Sequence, residues 1–243
     1  MTLMTPGWLL AGLCATSLAA SAQDVTPLSS SLDGRVPPLW QVMTLPKISR
    51  HTSYEVVSLD GRRVVKATAD GSYANVVHPL NVDTGRAMLR WSWRVDEFPA
   101  GSDLLVKRGD DLAAKVCVLF DLPLERLSWT DRLKIELGRR LFRLDLPAAT
   151  LCYVWERTLA PGTWLPNIYT DRVRMLVLRS GAAGEQGRWF EERRDLWADF
   201  TRAFGAEAEG GVPPISAVAF ATDADNTGSR ALAYFGDVSL TAP

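Results

Sequence analysis

The chain reads as an all-β protein, an antiparallel β-sandwich or jelly roll with one short helix. Three observations predict this class. Short runs of alternating apolar and polar residues recur along the chain, Gly, Asp and Pro punctuate them, and a single stretch carries helical spacing.

The first element is a leader. In MTLMTPGWLLAGLCATSLAASAQD an apolar run from Trp8 to Ala20 leads into Ala20-Ser21-Ala22, the small-x-small pattern cut by signal peptidase, although no Lys or Arg precedes the run. Residues 1–22 therefore read as a signal peptide and residues 23–243 as a single sandwich domain exported to the periplasm or beyond. The apolar run is shorter than the roughly 20 residues that span a bilayer, so no stable membrane insertion is expected after cleavage.

Strands come next. YEVVSLDGRRVVKATA is two β-rich runs around Asp60-Gly61, a two-residue hairpin signal. In MLRWSWRV, Leu89, Trp91, Trp93 and Val95 share one face, and Arg90, Ser92 and Arg94 the other. LAAKVCVLF, TLCYVW, RVRMLVLRS, ISAVAFAT and the closing LAYFGDVSL read the same way. The helix follows Asp195, its N-cap, with Leu196, Phe200, Ala203 and Phe204 at helical spacing and Gly205 as the stop.

With 27 basic and 28 acidic residues the net charge is −1, which supplies no field for gathering nucleic acid. Cys14 lies in the leader, leaving Cys117 and Cys152 in an oxidising compartment. Two readings stand: a disulfide, worth about 4 kcal/mol in the chain-entropy model, or two separate buried thiols. His51 and His78 read as exposed bystanders, which leaves no imidazole for a nucleophilic triad or a zinc site.

Candidate chemistry gathers in three places. In ATDADNTGSRALAYFGDVSL, residues Asp223, Asp225, Thr227 and Gly228 occupy positions 1, 3, 5 and 6 of a calcium loop, but position 12 is Tyr234 where a bidentate Glu is required. An EF-hand is excluded; a strand-to-strand turn or a looser calcium site on Asp223 and Asp225 is not. Lys107, Arg108, Asp110 and Asp111, just before a strand, form a polar group suited to a ligand or a solvated turn. Among the tryptophans, Trp129 and Trp164 lie in loop-like sequence, as a sugar-stacking platform or as packing. For a hydrolase, Asp110, Asp111, Glu156, Asp223 and Asp225 are the available acids, and no spacing selects a pair.

WSWRV (91–95), KRGDDLAAKVCVLF (107–120), YVWE (153–156), VRMLVLRSG (173–181), ERRDLWADFTRAFG (192–205) and the final ATDADNTGSRALAYFGDVSL together resemble the bacterial family called domain of unknown function 3047. The similarity runs from about Trp40 to Leu240 and implies export and a β fold, with no activity or site to transfer. Cys117 and Cys152 stand where the family tends to have Tyr and Asn. The last strand, AYFGDVSL, also looks like the terminal strand of galactose-binding-like jelly rolls, many of which bind carbohydrate. The expected function is a non-catalytic domain for a carbohydrate or cell-envelope glycan. The alternatives are a glycan-active hydrolase using paired carboxylates and a structural or partner-binding envelope protein.

Overall fold

The computed structural model describes residues 25–242 apart from 47, 84–85, 143–146 and 182–183. The expected signal peptide lies outside the described residues. In chain order the elements are β1 (Gln41–Met43), β2 (Ser53–Leu59), β3 (Arg62–Asp70), β4 (Asn75–Val82), β5 (Met88–Glu97), β6 (Ala114–Phe120), α1 (Trp129–Phe142), β7 (Ala149–Glu156), β8 (Trp164–Asn167), β9 (Thr170–Ser180), β10 (Phe190–Asp195), α2 (Leu196–Phe204), β11 (Ile215–Ala221), β12 (Arg230–Phe235) and β13 (Ser239–Thr241).

Two sheets pack face to face. The first has the order β1-β4-β11-β6-β7-β9-β8, and the second β10-β5-β12-β3-β2, with β13 pairing β5 beyond the end of β12. Every pairing among the described residues is antiparallel except β7 with β9. The β2–β3 hairpin turns at Asp60 and Gly61, with φ of 52° and 73°, the left-handed pair that lets a two-residue turn follow the twist of its strands.

The space between the sheets is filled by rings. Leu89, Trp91, Trp93 and Val95 of β5 point inward as the alternation predicts. Trp93 lies 5.7 Å from Trp155, Trp91 5.2 Å from Tyr153 and Phe235 4.7 Å from Phe220, each pair joining one sheet to the other. Such contacts contribute beyond their buried area. A smaller apolar cluster covers the outer face of the first sheet, where Leu104 and Leu112 pack over Cys117, Cys152, Val154 and Met175. The β6–β7 register sets Cys117 opposite Cys152, their Cα atoms 4.0 Å apart, and the two sulfurs are bonded.

The expected helix is α2. Asp195 accepts the N–H groups of Trp197 and Ala198 and Gly205 ends the helix at φ 52°, while Phe200 stacks 4.7 Å from Phe120. Its buried Asp199 accepts two hydrogen bonds from Arg194, at 2.8 and 2.7 Å, and one from the Tyr153 hydroxyl at 2.8 Å. Burial, then the Asp199 charge, raises the Tyr153 phenol well above its ordinary pKa.

The structure differs from the sequence reading in three places here, the first being the closing LAYFGDVSL, which forms two strands, β12 and β13, separated by residues 236–238. Residues Trp129–Phe142 form a second helix, started by Ser128, whose hydroxyl accepts the Asp131 N–H. His78 is buried, not exposed: its Nε2 accepts the Thr26 N–H at 3.2 Å, its Nδ1 lies 2.8 Å from the Pro79 carbonyl, and Trp40 meets it edge-on.

The Thr26 contact belongs to a strap. Residues 25–31 bury Val25 and Leu28, bond His78 of the first sheet through Thr26, and bond Asp237 between β12 and β13 through the N–H and hydroxyl of Ser29, at 2.8 and 2.7 Å. Arg63 on β3 donates to the Ser31 carbonyl. Among the described residues no helix is long and apolar enough to cross a membrane.

Asp199→Ala should leave the Tyr153 hydroxyl and the Arg194 guanidinium without their acceptor and cost about 3 kcal/mol. A melting temperature unchanged from wild type would contradict that role for Asp199.

Candidate functional site

Three connections meet at one end of the sandwich: β5–β6 (98–113), the turn from β8 to β9, and β11–β12 (222–229). Gly109 shapes the first. A Cβ there would stand 2.8 Å from the Asp103 nitrogen and 2.9 Å from its carbonyl oxygen, so the loop folds back on itself only with glycine at this position. The fold-back carries Asp110 and Asp111 to the β11–β12 loop.

Two of the acids act as fasteners there. Asp111, fully buried, accepts the backbone N–H groups of Asn226 at 3.1 Å and Thr227 at 2.7 Å. Asp223 accepts the Leu112 N–H with one carboxylate oxygen, and its other oxygen lies 2.7 Å from the Lys115 ammonium. Burial pushes the Asp223 carboxyl up to about 6 against the pull of Lys115. For Lys115, burial opposes the charge but Asp223 outweighs it, and the ammonium is held above its ordinary range. At neutral pH the two are therefore a charged pair, with the Tyr73 ring 4.9 Å from the ammonium.

On the solvent side stand Asp110, Asn167, Tyr169 and Asn226, each partly or fully exposed. The Asn167 amide donates to the Asp110 carboxylate at 3.0 Å, and the Asn226 amide donates to the Asp110 carbonyl at 3.1 Å. Tyr169, 57% exposed, places its hydroxyl 3.1 Å from the Lys107 carbonyl and 3.2 Å from the Asn226 side-chain oxygen. The Lys107 ammonium lies 5.3 Å from the Tyr169 ring centre. Burial raises the Asp110 carboxyl above the usual range, opposed first by Lys115; burial and then Asp111 raise that of Asp225.

Asp110, Asp111, Asp223 and Asp225 thus converge, and Lys107 joins them from a single 3-10 turn, Lys107–Gly109. Arg108 on that turn faces solvent. Trp129 and Trp164 are not in the cluster. Neither lies in a loop: Trp129 opens α1, 75% exposed, whereas Trp164 opens β8, half-buried against the main core with the Arg202 guanidinium 5.4 Å from its ring. Glu156 is buried and accepts the N–H groups of Thr158 and Leu159. The sequence reading passed over Asn167, Tyr169, Asn226 and Lys115. One signal was present: Asn167 accepts the Tyr169 N–H at 3.0 Å, an Asx turn that the run Asn-Ile-Tyr-Thr spells out.

Among the described residues no group of three or more His, Cys, Asp or Glu side chains is placed to hold a metal ion. An ammonium from the chain already occupies the cationic position beside Asp223, so calcium would have to displace Lys115. Millimolar calcium followed by chelator should leave the melting temperature unchanged. A rise of several degrees with calcium would restore the Asp223 and Asp225 calcium site.

A family model described as "Protein of unknown function (DUF3047)" matches residues 38–239. No curated protein matches the sequence. Among solved structures, the chain is similar to the K2 cleaved adhesin domain of Lys-gingipain (Kgp), at 12% identity over 88% of this chain and 96% of that one, with a TM-score of 0.38. It is also similar to the cellulose-induced protein Cip1, at 13% identity over 84% and 91% of the two chains, with a TM-score of 0.33.

Proposed function

The chain belongs to the family of proteins of unknown function DUF3047, and from that premise we propose that it is an exported, non-catalytic domain binding a carbohydrate or cell-envelope glycan at the end where the three connections meet. The observation that carries the reading is the exposed Tyr169 ring standing beside Asp110, Asn167 and Asn226. A sugar ring offers an apolar C–H face and a rim of hydroxyls. The phenol ring supplies a flat apolar surface for the first, and the amide and carboxylate groups supply donors and acceptors for the second. The leader-like first 22 residues support export.

Binding is favoured over hydrolysis by what the acids are doing. A hydrolase needs two carboxyl groups facing a shared bond, about 5 to 9.5 Å apart. Of the five acids available, Asp111, Asp223 and Glu156 have oxygens committed to backbone N–H groups, which leaves Asp110 and Asp225. Those two also serve a binder, as acceptors for sugar hydroxyls.

Calorimetric titration with cellohexaose, xylohexaose and chitohexaose tests the reading. At least one should bind, Tyr169→Ala should weaken it tenfold or more, and Trp129→Ala should leave it unchanged. No heat with any oligosaccharide, or cleavage of one on incubation, would remove the proposal. A pH series adds an independent check. Because the carboxyls of Asp110 and Asp225 are raised, their acceptor form is present at neutral pH and is lost as pH falls through a window above the usual carboxylate value of 3.8. Affinity should therefore decline in that window, and Asp110→Asn should flatten the decline.

A further inference from the structure

A second site of different chemistry lies on the outer face of the β10-β5-β12-β3-β2 sheet. A pocket of about 460 Å³ opens there, lined by Arg62, Arg63, Arg90, Ser92, Arg193 and Gly236 among others. Its floor depends on glycine, since a Cβ on Gly236 would stand 2.1 Å from the Ser92 hydroxyl.

The unusual feature is the pairing of its walls. The β10–β5 register sets Arg193 directly opposite Arg90 on the same face, and like charges so placed repel. A protein surface ordinarily relieves such a pair with a carboxylate. Three acids also line the pocket, and each has a partner other than Arg90 or Arg193: Glu191 pairs with Arg62, itself on the pocket wall, at 3.5 Å, Glu192 holds the Trp93 indole and Arg179, and Asp237 holds Ser29 of the strap. Arg63 is turned to the carbonyls of Ser29 and Ser31. Among the described residues Arg90 and Arg193 have no hydrogen-bond or ion-pair partner, and both are exposed at the pocket.

We propose that this pocket binds the carboxylate or phosphate group of an acidic saccharide, held between the guanidinium groups of Arg90 and Arg193. Two planar forks facing one opening match the paired oxygens of a carboxylate or phosphate, and an arriving anion removes the repulsion between them. Arg90 is near the start of β5 and the three-loop end lies beyond its last residue, Glu97, which separates the two sites by about 25 Å at the rise of a strand.

The test is titration of the purified protein with trigalacturonate, glucose 6-phosphate, inorganic phosphate and neutral cellotriose, in wild type, Arg90→Gln/Arg193→Gln and Arg90→Lys/Arg193→Lys. Trigalacturonate or glucose 6-phosphate should bind, and whichever is tighter identifies the carboxylate or the phosphate as the group. The double Gln variant should lose tenfold or more, with the double Lys variant in between. Tyr169→Ala should leave this binding unchanged, so a failure here is separable from a failure at the loop end. The Gln variant should also melt no lower than wild type, because it removes two opposed like charges. Equal affinity in wild type and the Gln variant, inorganic phosphate as tight as both acidic sugars, or a Gln variant that melts several degrees lower would each overturn the proposal.

Discussion

The layer of rings between the two sheets is the constraint on which the rest of the molecule depends. Tryptophan, tyrosine and phenylalanine from β5, β7, β11 and β12 meet across the interior, so the spacing and register of the two sheets are set together. Side chains in a strand alternate between faces, and a slip of one residue in β5 would send its indoles to solvent and the arginines Arg90 and Arg94 into the core. The same alternation that buries Trp91 and Trp93 therefore presents the cationic outer face. Core and surface of that strand are one specification.

At the loop end the acids divide into two kinds. Asp111 and Asp223 close backbone and ammonium contacts between neighbouring connections, and their burial makes them unavailable to anything outside. Asp110 and Asp225 are carried on the loops so fastened and keep part of their surface open. A rigid frame beneath adaptable polar groups lowers the ordering that a ligand must otherwise impose.

Much of this was legible in the sequence, and the limits have physical causes. Strand β5 carries strong alternation, β2 and β3 are marked by the Asp60-Gly61 turn between them, β6, β7 and β11 are short, mostly apolar runs, with β7 buried at every position, and α2 carries both its cap and its stop. By contrast β1, β4, β8 and β10 were passed over. β10 is FEERRD, charged on its outward face and partly charged inward, and β4 contains Pro79 at a shift in register with β11. These strands exist because neighbours supply the pairing, which local preference does not reveal. Helix α1 was missed for another reason: Trp129, Leu133 and Leu137 do recur at helical spacing, but they are exposed, and the stretch looked like loop beside so many strands. The acids of the loop end could be read as candidates, whereas their convergence rests on partners more than 100 residues apart and belongs to the topology.

The strap has a consequence for how the molecule is completed. Ser29 is tied to Asp237, 208 positions further along, so the strap is seated by the connection between the last two strands described. Contacts of that span are the last for which loop entropy is recovered, and they slow the approach to the native state. A chain emerging amino-terminus first holds Ser29 without its Asp237 partner until β12 and β13 arrive, like a belt fastened at the buckle.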